Sequence, residues 1–210
     1  MQQKSLFITF EGCDGSGKST QSKLLFEWLQ SQNLKVILTR EPGGTDSAEA
    51  IREILLNKHM KFEAISQLLL INVARNEHVC DVILPHLAQD YIVICDRYAD
   101  STRAYQGYGS DVDLELINNL HAMVINNLEP EVTFVLDVPI ETSLRRMAKK
   151  KHVNDRFETQ QREFYENVAA GFRSIAWQYR ERCMLIDASS PIEQTEILIR
   201  ERVQALLCIS

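Results

Sequence analysis

Phe10-Glu11-Gly12-Cys13-Asp14-Gly15-Ser16-Gly17-Lys18-Ser19-Thr20 is the stretch on which the fold turns. Gly12 through Ser19 completes the pattern G-x-x-x-x-G-K-[ST]. Its glycines let backbone N–H groups curl around phosphate oxygens, and the helix that follows turns its positive end to the same anion. The flanks fit. Leu6-Phe7-Ile8-Thr9-Phe10 is a short apolar run that reads as a buried strand. Across 18–32, Leu24, Leu25, Trp28 and Leu29 recur at the spacing of one helix face. Lys18 is placed to reach the β- and γ-phosphates of a nucleotide, and the Ser19 hydroxyl to ligate Mg²⁺. The competing reading is a Gly-rich turn with an accidental lysine; the strand before and the helix after count against it. The loop implies ATP or GTP with Mg²⁺ and leaves the second substrate unnamed.

Outward from the loop, apolar runs alternate with helical patterns. Val36-Ile37-Leu38-Thr39, Tyr91-Ile92-Val93-Ile94-Cys95 and Val132-Thr133-Phe134-Val135-Leu136 read as strands, and Met184-Leu185-Ile186 as a weaker one. Helices are expected over 46–56, 62–87, 113–127, 141–150, 159–182 and 191–207, with Pro85 kinking or shortening the second. Fully apolar strands separated by helices mean a parallel sheet covered on both faces. Ligands in such sheets bind beyond the carboxyl ends of the strands, so the chemistry is expected just after Phe10, Thr39, Cys95 and Leu136.

Composition sets the class. The chain has 210 residues, 45% hydrophobic and 25% charged, which fits one globular domain and excludes a disordered tail, a collagenous repeat or a disulfide scaffold. The start Met-Gln-Gln-Lys-Ser does not resemble a signal peptide, and no apolar run is long enough to span a bilayer, so a cytoplasmic protein without a membrane partner is expected. A net charge of −6 argues against a nucleic-acid partner but not against a small anion held by local arginines. Cys13, Cys80, Cys95, Cys183 and Cys208 have no metal-ligand spacing and read as small residues in or near a reduced core. His59, His78, His86, His121 and His152 read as surface or partly buried structural residues.

Asp96 closes an apolar strand, the place for a carboxylate that orients Mg²⁺ or its waters; as an Asp it also suits a helix N-cap. Arg97 beside it can grip a phosphate with a bidentate fork, or pair with Asp96 or Asp100. Arg40, Arg52 and Arg75 would each by default be a surface ion pair. Position favours function for Arg40 and Arg97, which directly follow strands on the rim that carries the phosphate loop.

These residues carry a resemblance. Residues 10–20, Thr39-Arg40-Glu41-Pro42-Gly43-Gly44-Thr45, Ala74-Arg75-Asn76-Glu77-His78, Asp96-Arg97-Tyr98 with Ser101-Thr102-Arg103-Ala104-Tyr105-Gln106-Gly107, and Asp155-Arg156-Phe157-Glu158 resemble, in order and spacing, the bacterial thymidylate kinases. The resemblance spans nearly the whole chain. It implies the P-loop nucleoside monophosphate kinase fold, an α/β domain over 1–210 with a five-stranded parallel sheet, helices on both faces and a small lid near 148–158. It implies transfer of the γ-phosphoryl group of MgATP to dTMP, giving dTDP and ADP in dTTP biosynthesis, by a homodimer.

By the same resemblance, Gly12, Cys13, Asp14, Gly15, Ser16, Gly17, Lys18, Ser19 and Thr20 hold ATP, with Arg146 along the adenine face. Ser19 and Asp96 serve the metal. Arg97 with Arg52 holds the acceptor phosphate, Asp14 sits near its sugar and phosphate, and Glu41 lies close to metal and sugar. Arg75, Thr102 and Gln106 face the thymine edge, and Tyr105 packs where a ribose 2′-hydroxyl would intrude. Lys18, Arg97, Asp14 and the lid residue Arg156 form the catalytic set, Arg156 because the loop has Ser16 where another class has arginine.

The chemistry is consistent with this. A phosphate monoester, with a second pKa of about 6, is mostly a dianion at neutral pH and needs no general base. The obstacle is repulsion between polyanions, met by positive charge and alignment.

Departures are also visible. Ile71 stands where the family has a phenylalanine that stacks on thymine, which forfeits the stacking contribution. Arg103 is unexpectedly large and polar for its loop, and the basic run 145–156 suits either a lid or a solvated helix end. Other readings are a different nucleotide kinase on the same scaffold, a regulatory nucleotide switch, and a binding protein that has lost catalysis. The missing Asn-Lys-x-Asp signature counts against a GTPase, and the intact Lys18, Ser19, Asp96 and Arg97 against the last.

Overall fold

Leu6, Ile8 and Phe10 of the first strand, β1 (Leu6–Glu11), pack into one apolar cluster and Phe7 into another, and the whole strand is buried. A strand apolar on both faces belongs in the middle of a covered parallel sheet. The structure, a computed structural model, describes residues 4–57, 59–151 and 158–207. Among them, β1 joins β2 (Val36–Arg40), β3 (Ile92–Asp96), β4 (Val132–Asp137) and β5 (Cys183–Asp187) in a parallel sheet of order β2–β3–β1–β4–β5. Both the fold class expected from the sequence and the weak fifth strand are present.

On one face, Leu25 and Leu29 of α1 (Lys18–Ser31) and Ile199 and Val203 of α9 (Ile192–Leu207) pack against Leu6, Ile8, Phe10 and Phe134. On the other, Phe172 and Ile175 of α8 (Glu158–Gln178) cover Val135, while Ile125 of α6 (Leu114–Ile125) joins Phe7, Val93 and Tyr98. Each such side chain contributes roughly 1.5–3 kcal/mol by leaving water. The register pairs Phe10 and Arg40 with the same residue, Asp96, so β1, β2 and β3 end side by side. That alignment brings the three loops of the site together.

The helix expected over 62–87 follows one helical path in three pieces. α3 (Ala64–His78) runs into a widened π turn, Val79–Ile83, and then α4 (Leu84–Leu87). Pro85 has no N–H, and its ring crowds the carbonyl one turn back; a wider turn accommodates both. Residues after Asp96, read from sequence as a loop, are helical: α5 (Ala99–Thr102) continues as a second π turn, Arg103–Gly109. Tertiary packing selects that shape against weak local propensity. A Cβ on Gly109 would stand 2.6 Å from Phe164, and one on Gly171 2.7 Å from Tyr108, so glycines let this segment lie directly on α8.

Arg103, unexplained by sequence, closes a buried ionic cluster. It donates to Asp100 (2.7 Å), Glu129 (3.0 Å) and Asn118 (3.0 Å), while Arg182 donates to both Asp100 oxygens. Both guanidinium groups lie over the Tyr179 ring. His78 and His121 are buried rather than at or near the surface, His78 against the buried Glu41 and His121 against the half-buried Glu129. Cys13, Cys95 and Cys183 are free and buried and Cys80 is free and exposed; Cys208 lies outside the described residues.

Candidate active site

Gly12, Gly15 and Gly17 all have positive φ, at 131°, 81° and 107°. A Cβ on Gly12 would stand 2.4 Å from the Leu136 carbonyl oxygen, and one on Gly15 2.9 Å from that of Ser143. The loop is therefore wedged between the end of β4 and α7 (Ile140–Lys151), which only glycine permits. From α7, Ser143 Oγ donates to the Asp14 carbonyl and Arg146 Nη1 to the Gly15 carbonyl at 3.0 Å, so these carbonyls turn toward α7. Gly17 begins α1 with no side-chain cap and no acid in the first turn. By contrast, Thr45 caps α2 (Asp46–Leu56) and Asp113 caps α6. The positive end of α1 is thus left to an anion.

Lys18 donates from Nζ to the carbonyls of Gly12 (2.9 Å) and Cys13 (2.8 Å), arched over its own loop. Burial, and then Arg97 nearby, lower its pKa to about 8. Burial raises the Cys13 thiol to about 11, so it is no nucleophile. Ser19 Oγ donates to Asp96 Oδ2 at 2.5 Å. The other oxygen, Oδ1, is buried with no hydrogen-bond partner among the described residues. A hydroxyl beside an uncompensated carboxylate oxygen suits a divalent cation or its waters. Asp96 does not cap a helix; Tyr98 stands at the start of α5.

Arg97 pairs with neither Asp96 nor Asp100. From a left-handed backbone (φ 73°), it donates through Nη2 to Asp14 Oδ1 at 2.7 Å and to the Tyr105 hydroxyl at 3.3 Å. Its guanidinium lies over the Tyr105 ring, 5.1 Å from the centroid. Such a conformation costs a bulky residue on the order of 1–3 kcal/mol and persists only where its surroundings hold it.

Glu41 is buried at the end of β2. It accepts from Arg75 Nε at 2.7 Å through Oε2 and faces His78 Nδ1 at 3.1 Å through Oε1. His78 Nε2 lies 2.7 Å from Thr39 Oγ1. Burial pushes the Glu41 carboxyl up, but Arg75 and His78 together hold it below the usual carboxylate value. Arg75 also donates to the Tyr98 carbonyl (3.1 Å) and Thr102 Oγ1 (2.9 Å).

A cleft of about 570 Å³ gathers Asp14 through Gln21, Arg40, Glu41, Arg52, Asp96, Arg97 and Arg146. Arg40 is also held by Glu49 (2.9 Å), and Arg52 Nη1 donates to the Pro42 carbonyl at 2.6 Å. Ile71, Arg75, Thr102, Tyr105 and Gln106 do not line this cleft; Ile71 is half-buried on α3, one turn before Arg75. Arg156 lies outside the described residues, as does the 152–157 part of the expected lid.

Sequence reasoning missed Ala188, Ser190, Ile192 and Thr195, which complete the cleft beyond β5. Gln21 Nε2 ties this segment to α1 through the Ile192 carbonyl at 2.9 Å. The rule that ligands bind at strand carboxyl ends, applied to the fifth strand as to the other four, would have found it.

The thymidylate kinase family model matches residues 10–199. The thymidylate kinase of Wolbachia pipientis wMel is 49% identical over 184 residues, 86% of this chain and 90% of that one. That of Sulfurihydrogenibium sp. is 43% identical over 194 residues, 92% and 94% of the two chains. The crystal structure of thymidylate kinase from Ehrlichia chaffeensis superposes with a TM-score of 0.78 at 40% identity, covering 96% of this chain and 99% of that one.

Proposed function

The chain belongs to the thymidylate kinase family, and from that premise we propose how its cleft moves the γ-phosphoryl group of ATP onto dTMP, giving dTDP and ADP. The observation that carries this reading is one cleft holding both a complete phosphate loop and two arginines from outside it, Arg52 and Arg97. A phosphate loop and further arginines in one cleft suit a donor and an acceptor that are both phosphates, and no base is needed.

On the donor side, residues 12–20 take the ATP phosphates. Lys18 exchanges its two carbonyl partners for phosphate oxygens, which restores its full charge. Arg146 is near enough to flank the adenine side of the loop. Ser19 and Asp96 would hold Mg²⁺, which when bound neutralises phosphate charge and aligns the transfer. On the acceptor side, Arg97 and Arg52 take the dTMP phosphate, with Asp14 orienting Arg97. Glu41 positions Arg75, and Arg75 with Thr102 and Gln106 reads the base beside Ile71. Tyr105, held between Arg97 and Asp14, selects deoxyribose. Arg156 supplies positive charge to the transferring group.

The acting form is a homodimer in the cytoplasm. Its supporting feature is an apolar stripe: Ile65, Leu69 and Val73 are exposed at four-residue spacing on α3, and α6, packed beside α3, exposes Leu116 and Met123. No helix among the described residues is long and apolar enough to cross a membrane.

Coupled ADP release with MgATP tests the reaction against dTMP, dUMP, UMP, dCMP, AMP, dGMP and thymidine. Strong preference for dTMP is expected; another preferred acceptor, or hydrolysis independent of acceptor, overturns the site assignment. Light scattering of the native chain and of Leu69→Glu tests the dimer, the variant being expected to run at half the mass.

A further inference from the structure

Glu11 lies beneath the phosphate loop at the end of β1, fully buried, and touches neither the cleft nor any group assigned above to a substrate. Its carboxylate is held by the segment that follows β3. Oε1 accepts from the backbone N–H of Tyr98 (2.8 Å) and of Ser101 (3.1 Å). Oε2 accepts from Ser101 Oγ at 2.5 Å. Ser101 Oγ in turn accepts from Arg97 Nη1 at 3.0 Å. One carboxylate thus holds the residue after Arg97, the first turn of α5, and the hydroxyl that orients the guanidinium.

Arg97 needs such a holder, since its left-handed backbone is one that a long side chain rarely adopts. The parallel register supplies the reach: Phe10 lies beside Asp96, and the Arg97 N–H donates to the Phe10 carbonyl at 2.9 Å. The next residue of β1 therefore stands beside the turn that follows β3. A buried carboxylate kept for packing alone would be costly. Burial, and then Asp100, raise the Glu11 carboxyl to about 7, so its site is not optimised for its charge.

We propose that Glu11 is a positioning residue for phosphoryl acceptance, acting through Ser101 to fix Arg97 in the geometry that takes the acceptor phosphate. The direction of the relay explains why each atom is of its type. Ser101 Oγ must donate to Glu11 in order to present its lone pair to Arg97, and only an acceptor at Oε2 sets the hydroxyl that way. An amide NH₂ at that position would donate instead, leaving two donors on one hydroxyl whose own hydrogen is then unpartnered.

This inference rests on Arg97 binding the acceptor, and the test separates the two. Glu11→Gln, Ser101→Ala and the double variant are assayed for KM of dTMP, KM of ATP and kcat, and for dTMP binding by calorimetry. With Glu11→Gln, KM and Kd for dTMP are expected to rise about tenfold or more, the scale of one charge-assisted hydrogen bond, with KM for ATP unchanged. Ser101→Ala, which keeps Glu11 and both backbone contacts, is expected to shift the same constant in the same direction by less. The double variant is expected to match Glu11→Gln alone, because the two act in series. Equal losses toward ATP and dTMP, or an unchanged KM for dTMP in Ser101→Ala, overturn the relay. If Glu11→Gln does not fold, Ser101→Ala decides alone. A native enzyme that does not bind dTMP would instead remove the reading on which the relay rests.

Discussion

Ser19 Oγ donates to Asp96 Oδ2 at 2.5 Å, while Asp96 Oδ1 is buried with no hydrogen-bond partner among the described residues. A strand-end carboxylate satisfied on one side is poised to serve a cation on the other. Asp96→Asn keeps the shape and removes the charge. Its kcat is expected to fall about a hundredfold, about 2.7 kcal/mol, and its activity to need more Mg²⁺ for half-saturation. Initial rates across a Mg²⁺ titration read both; an unchanged Mg²⁺ requirement would remove Asp96 from the metal site.

Lys18 titrates at about 8 in the free protein, below the ordinary lysine value of 10.5, because burial disfavours its charge. Bound phosphates restore the charge, so from about 8 to 10.5 the complex holds a proton that the free protein lacks. ATP binding is then accompanied by proton uptake in that window, and affinity falls as pH rises through it. Calorimetry at about pH 9 in two buffers of different ionisation heat should give an uptake of up to one proton, and almost none at about pH 7.

Ile71→Phe restores an aromatic face one turn before Arg75. KM for dTMP is expected to fall about two- to tenfold, the equivalent of 0.5–1.5 kcal/mol of stacking, with KM for ATP unmoved. Ile71 is only half-buried, which leaves room for the larger ring. A variant with unaltered dTMP affinity would place the base elsewhere.

Arg103→Ala strips Asp100 and Glu129 of one cation but leaves them Arg182. The loss is expected at about 3 kcal/mol, the lower end for breaking a buried pair, read as a lower urea midpoint at constant slope.

Glu129 in the same cluster titrates at about 2, since His121, Arg103 and Arg182 outweigh its burial. Its folded value lies below the unfolded 4.5, so its stabilisation is complete above 4.5 and is lost as pH falls toward 2. In Glu129→Gln this acid-side loss is expected to shrink, so thermal midpoints of variant and native protein converge as pH falls.

Much of this was legible in the chain. The all-apolar strands announced a covered parallel sheet, and the glycine spacing of 12–17 announced the phosphate loop, because both signals are local. The helical path of 99–109 was not, since its shape comes from close approaches to α8 far away in sequence, Gly109 against Phe164 and Tyr108 against Gly171. Arg103 looked anomalous because two of its partners, Asn118 on α6 and Glu129 in the loop before β4, lie later in the chain. Glu11 drew no notice for the opposite reason: it sits inside a recognised motif, and its partners appear only once β1 and β3 are adjacent.

The strand order β2–β3–β1–β4–β5 puts the earliest strand at the centre. On the ribosome, Leu6 has no neighbour until Ile92 has emerged, and Ile8 none on its other side until Val132 has. Five residues of near-continuous apolar β-former therefore wait with both edges open until β3 is made and with one open until β4 is, the exposure that invites aggregation and chaperone capture. The phosphate loop, first of the functional segments to be made, is among the last to acquire its shape, for Gly12 is seated against Leu136 and Gly15 against Ser143. A nascent chain shorter than this carries the nucleotide signature without the means to bind a nucleotide.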